Sequence, residues 1–113
     1  MELGLMNRVA VVTGGSEGIG KAAAYSLARE GANVIILART QSKLDSALEE
    51  IKSNAVGKVE SISCDVTDKD AVNKAFRDII KKWGKVDILV NNAGSGNANS
   101  FDDLTDVMLD GDL

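Results

Sequence analysis

Four short apolar runs recur along the chain, and between them apolar residues return at helical spacing. The runs are Arg8 to Thr13, Asn33 to Leu37, Val59 to Cys64 and Val86 to Asn91. The second and fourth carry Val34-Ile35-Ile36-Leu37 and Ile88-Leu89-Val90, continuous aliphatic stretches of the kind that strands buried on both faces require. Lys21 to Glu30 has helical periodicity. Leu44, Ala47, Leu48 and Ile51 form one stripe on a helix expected from about Gln41 to Ser53. Thr67-Asp68-Lys69-Asp70 resembles a capping box, with Asp70 in the place of the usual Glu or Gln. It opens a helix whose apolar face is Ala71, Val72, Ala75, Phe76, Ile79, Ile80 and Trp83, and Gly31 and Gly84 stand where glycine ends helices. Strands alternating with helices, joined by right-handed crossovers, predict an α/β protein: a doubly wound parallel sheet of about four strands with helices on both faces.

Composition removes several function classes. The 113 residues suffice for one compact domain, expected to span 1–113, and not for two. The apolar runs are far too short to cross a bilayer, and the first residues lack the basic start and long apolar segment of a secretory signal, so a cytoplasmic protein with no membrane partner is expected. A net charge of -4 argues against a nucleic-acid partner, which would call for a basic patch. With no histidine and one cysteine, Cys64, there is no internal disulfide, no metal site is expected, and no Ser-His-Asp or Cys-His catalytic arrangement can be built from these residues. Cys64 reads as a small buried filler. The five aspartates between Phe101 and Leu113 read as solvated acids at a helix start.

The most informative stretch is Thr13-Gly14-Gly15-Ser16-Glu17-Gly18-Ile19-Gly20, lying between the first apolar run and the first helical segment. A strand, a glycine-rich turn and a helix aim unpaired backbone N–H groups and the positive end of a helix dipole at a phosphate. Gly14 is expected to allow the sharp bend, Gly18 the close approach of a diphosphate, and Gly20 tight helix-on-strand packing. Ser16 either bonds a phosphate or caps the turn. At the end of the second strand stands Arg39, where an acid would hold a ribose 2′-hydroxyl and an arginine can pair with a 2′-phosphate. NADP is therefore expected ahead of NAD, with Glu17 in the turn as a counter-signal. Asp65 with Val66, after the third strand, is placed to receive the adenine amino group or is a plain loop aspartate. Asn91-Asn92-Ala93-Gly94, after the fourth, either line the ligand crevice or make only a turn.

Together these pieces resemble the short-chain dehydrogenase/reductase family, up to about Gly94. The matching residues are the Thr13–Gly20 turn, Asp65-Val66 and Asn91-Asn92-Ala93-Gly94, in the family's order and spacing. The resemblance implies a Rossmann-type sheet in the order 3-2-1-4 and a hydride transfer between NADP(H), or NAD(H), and a small alcohol/carbonyl pair. It implies cofactor contacts from Gly14, Ser16, Glu17, Gly18, Ile19, Gly20, Arg39, Asp65, Val66, Asn92, Ala93 and Gly94. In that family a tyrosine serves as acid/base, a lysine four residues later lowers its pKa, and a serine orients the carbonyl. No such set stands in this chain: the sole tyrosine, Tyr25, is followed four residues later by Arg29 and sits in the helix after the glycine turn. No catalytic residue is thus assigned, and the chain is expected to be the cofactor-binding half of an enzyme, inactive alone. The fourth strand would then be an apolar open edge, prone to association, with a homo-oligomer as the expected assembly. The rival reading is a non-catalytic module that binds a dinucleotide or another protein.

Overall fold

A computed structural model describes residues 4–92. The elements run β1 (Val9–Thr13), α1 (Gly18–Arg29), β2 (Asn33–Ala38), α2 (Gln41–Lys52), β3 (Val59–Ser63), α3 (Lys69–Trp83) and β4 (Ile88–Asn91). All pairings are parallel, in the order β3-β2-β1-β4. The expected class and strand order are both found. Among the described residues β4 pairs only with β1, at one end of the sheet.

The period of two along β1 and β2 divides the core. Ala10, Val12, Val34 and Ile36 face α1 and α2, where they meet Ala24, Ala28, Leu44, Ala47 and Ile51. Val9, Val11, Ile35 and Leu37 point the other way, towards Val72, Ala75, Phe76 and Ile79 of α3, with Cys64 buried among them. Small residues on α1 let that helix lie close to the sheet, whereas α3 fills its side with Phe76. The stripe foreseen on α2 and most of that on α3 are core.

Helix ends follow backbone chemistry more closely than periodicity. α1 begins at Gly18, inside the glycine motif, rather than at Lys21. It ends with Gly31 at φ 105, its N–H bonded to Ala28 O and that of Ala32 to Leu27 O, a Schellman arrangement. Gly84, at φ 84, closes α3 by bonding Ile80 O. The cap of α3 is Asp68, not Thr67: Asp68 Oδ1 accepts from the N–H groups of Asp70 and Ala71, while the Thr67 hydroxyl donates to Asp65.

The fourth apolar run becomes a strand only from Ile88, because Asp87 ties itself to the start of β1. Its Oδ2 accepts from the N–H of buried Val9 at 2.8 Å, and its own N–H donates to Val9 O at 2.8 Å. That N–H of Val9 first, and then Lys85 and Arg8, hold the Asp87 carboxyl below the usual carboxylate range. A carboxylate with a lowered folded-state pKa stabilises the fold above its unfolded value of about 3.9 and loses that contribution as pH falls through the folded value. Asp87→Ala is therefore expected to cost about 1–3 kcal/mol at pH 7, by leaving a buried N–H unpaired. The difference from wild type should shrink below about pH 4. Urea unfolding at pH 7 and pH 3 checks this; an undiminished gap at pH 3 would rule out the charge as the cause.

Among the described residues, no helix is long and apolar enough to cross a membrane.

Candidate functional site

Parallel strands bring all their carboxyl ends to one edge, and the residues singled out in the sequence gather there. A cleft of about 250 Å³ opens between the ends of β1, β2 and β3. Gly14 forms one wall, Leu37, Ala38 and Arg39 the floor and one rim, and Cys64 to Thr67 the other rim. This is room for one ring system and its sugar, not for an entire dinucleotide.

The glycine turn leads away from the cleft. Gly14 has φ 68 and Gly18 φ 55, left-handed values at which a side chain is strained. A Cβ on Gly18 would meet nothing within 4 Å, so the turn is open to an approaching group at that point. A Cβ on Gly20 would lie 2.3 Å from Gly14 O and 2.8 Å from Asn92 Nδ2. Gly20 thus packs the helix start against its own turn and against the end of β4. The N-cap of α1 is Glu17, which makes no side-chain cap bond, so Ser16, half-buried before it, is not the helix cap. The first N–H groups of α1 have no acceptors within the helix. Ile19 is 78% exposed beside them, an apolar side chain in water at the mouth of the site.

At the β2 and β3 ends, Asp65 is held by its neighbour. Its Oδ1 accepts from Thr67 Oγ1 at 2.6 Å and Thr67 N at 3.0 Å, leaving Oδ2 at 3.8 Å from Arg39. The Thr67 hydroxyl and N–H, with Arg39 adding its charge, keep the Asp65 carboxyl ionised below its ordinary range. Asp65 can therefore only accept hydrogen bonds at neutral pH, and Oδ2 is the oxygen that remains for an amino donor. Arg39 is 78% exposed, so its guanidinium is free to reorient. Its backbone is fixed by Ser63 Oγ donating to its carbonyl at 3.1 Å. Val66 stands half-buried on the same rim. Burial, and then Asp65 and Asp68, push the Cys64 thiol up, which leaves it neutral and inert.

At the other end of the edge, Thr13 joins β1 to β4. Its hydroxyl donates to Asn91 Oδ1 at 2.9 Å and accepts from Asn92 N at 3.0 Å. This fixes where Asn92 leaves the sheet, next to Gly14 and Gly20. Ala93, Gly94 and the acidic tail from Phe101 lie outside the described residues.

Gly14, Arg39, Asp65 and Val66 thus share one cleft, while Gly18, Ile19 and Asn92 lie along the same edge beyond it. Sequence reasoning gave no part to Thr13, a buried hydroxyl within the quoted motif, and misread Thr67. It also missed Lys43, whose Nζ lies 2.5 Å from Glu17 Oε1. For Thr13 the signal was present, a polar residue ending an otherwise apolar strand; for Lys43 there was none.

Residues 8–110 match the family model described as short chain dehydrogenase. A 3beta-hydroxysteroid dehydrogenase of Mediterraneibacter gnavus is 40% identical over 100 residues, 88% of this chain and 36% of that protein. Among solved structures, the L-sorbose reductase of Gluconobacter frateurii complexed with NADPH and L-sorbose superposes with a TM-score of 0.88 at 29% identity, over 98% of this chain and 49% of that one. NAD+-bound xylitol dehydrogenase superposes with a TM-score of 0.77 at 33% identity, over 81% of this chain and 35% of its own. The chain spans about a third to a half of the length of the curated relatives it matches, from 36% to 50%.

Proposed function

Because the chain belongs to the short-chain dehydrogenase family, we propose that it supplies the dinucleotide-binding half of an oxidoreductase that interconverts an alcohol and a carbonyl. The observation that carries this reading is the shared cleft of Gly14, Arg39, Asp65 and Val66 beside a helix start with unpaired N–H groups. A cofactor bound there supplies or takes up the hydride. Every other role falls to this chain's own groups. The N–H groups of Gly18, Ile19 and Gly20 neutralise the diphosphate, with Ser16 and Glu17 in the turn around it. Asp65 Oδ2 accepts from the adenine amino group, and Val66 covers the ring. Asn92 is assigned to the nicotinamide-side ribose, and the family resemblance assigns Ala93 and Gly94 to the same group. The proton transfers belong to residues of the complete enzyme that this assignment does not include, so the chain by itself binds without turning over.

We propose NADP as the preferred cofactor, since Arg39 is the charged group at the end of β2 and the NADPH complex of L-sorbose reductase shares this fold. NAD+-bound xylitol dehydrogenase shares it too, so the fold alone does not choose. Arg39→Leu is therefore the test. A charged hydrogen bond to a phosphate is worth about 1.5–3 kcal/mol, so the Kd for NADPH should rise by about tenfold to a hundredfold while that for NADH stays within about threefold. Titration of cofactor fluorescence reads both; equal losses for the two dinucleotides would sink the 2′-phosphate assignment. A homo-oligomer in the cytoplasm is the proposed setting, and sedimentation of the purified protein tests the assembly.

A further inference from the structure

Glu17 places a carboxylate in a turn read above as the seat of a diphosphate, and the following inference rests on that reading. A bare acid there would repel the ligand. The structure shows where its charge goes: Glu17 Oε1 meets Lys43 Nζ of α2 at 2.5 Å. Lys43 keeps the Glu17 carboxyl below its ordinary range, first by this hydrogen bond and then by its charge, so the contact is an ion pair at neutral pH. The first turn of α1 carries no other acid. The pair also belongs to a longer seam. Lys21 Nζ reaches Glu50 Oε2 at 2.9 Å, and Asn54 Nδ2 donates to Tyr25 OH at 2.7 Å. Residues 17, 21 and 25 recur every four positions from the N-cap of α1 onwards, so a single stripe of that helix meets α2 and the turn that follows it, with Lys43 at the end nearest the glycine turn. Arg39 stands four residues before Lys43, in the connection between β2 and α2, and lines the cleft. Glu17 and Lys43 are both largely exposed, and exposed pairs add little to stability, so the pair is of small use as a structural brace.

We propose that Lys43 is a positioning residue for dinucleotide binding: it draws the Glu17 carboxylate towards α2 and cancels its charge, so that the N–H groups of the turn and the Arg39 guanidinium meet the phosphates without that charge opposing them. The NADP preference expected from Arg39 then no longer conflicts with the acid in the turn. With Lys43→Met, Glu17 loses its ion-pair partner and keeps only the weaker influence of Lys21, and its repulsion is greatest for the dinucleotide that carries the extra phosphate.

Titration of the protein with NADPH and NADH at low salt, in wild type, Lys43→Met, Glu17→Gln and the double variant, tests this. Lys43→Met is expected to raise the Kd for NADPH about fivefold to tenfold, and that for NADH less. Glu17→Gln in the same background should return both to within about twofold of wild type, and the Lys43→Met effect should fade in 1 M salt, where charges are screened within about 3 Å. Melting temperatures should stay together across the set, which a structural role would not allow. A double variant as weak as Lys43→Met, or NADPH binding unchanged by Lys43→Met, overturns the inference and leaves the cofactor reading standing. Failure of wild type to bind either dinucleotide removes that reading and the inference with it.

Discussion

Gly20→Val is expected to raise the Kd for NADPH by more than about a hundredfold and to destabilise the protein by about 3 kcal/mol. The first atom added already decides the outcome, since a Cβ at this position would stand 2.3 Å from Gly14 O and 2.8 Å from Asn92 Nδ2. The nearer obstacle is backbone, and that backbone is committed: Gly14 is at φ 68 and its N–H bonds Leu37 O at 2.8 Å. The helix cannot retreat either, because Ala24 and Ala28 on the next turns are fully buried against the sheet. Relief must come from displacing the turn, whose N–H groups are the proposed phosphate ligands. Gly18→Ala makes the internal comparison. Its Cβ would point into open space, and the cost is confined to φ 55, about 1–2 kcal/mol. Cofactor titration with a thermal melt separates the two: a Gly20→Val protein that binds NADPH within threefold of wild type would show that the turn is not the phosphate seat.

Much of this arrangement was legible in the chain, for identifiable reasons. The apolar runs named β1 and β2 because strands buried on both faces leave almost no polar positions, as Val34 to Leu37 show, while the half-buried β3 and β4 were named by runs placed at the same spacing between helices. Once the sheet was known to be parallel, Gly14, Arg39, Asp65 and Asn92 had to share an edge, since each follows a strand's carboxyl end. Boundaries were less legible. Four glycines in eight residues argue against a helix, yet α1 begins at Gly18, because Gly20, with no side chain, lets the first turn of the helix fit against Gly14 O. Thr67 and Asp68 are both good caps, and the choice between them was made by Asp65, which engages the Thr67 hydroxyl from two residues upstream. The Glu17–Lys43 pair was illegible. It joins two helix starts that are distant in sequence, and nothing local to either residue specifies how α1 and α2 lie side by side.

Phe76→Ala is expected to cost about 3–5 kcal/mol, a large share of the about 5–15 kcal/mol that holds a domain folded. Phe76 heads the fully buried side chains by volume. It lies on α3, which among the described residues is the only helix on its side of the sheet, against Val9, Val11, Ile35 and Leu37. Two helices share the opposite face, whereas among the described residues no second helix lies beside α3 to close over the cavity. A midpoint fall of at least about 10 °C is anticipated, whereas Phe76→Leu, which keeps most of the volume, should cost under about 1.5 kcal/mol. The consequence reaches the site because Asp65, Val66 and Thr67 form the loop that α3 anchors through its cap at Asp68. Loosening α3 releases one rim of the cleft while the glycine turn, held by α1 on the other face, stays in place. NADPH should therefore bind the variant more weakly and, at about a hundred times its Kd, restore about 2.7 kcal/mol of stability. A variant that melts early yet binds NADPH with the wild-type Kd would show that the α3 rim takes no part in binding, and would move the adenine assignment away from Asp65.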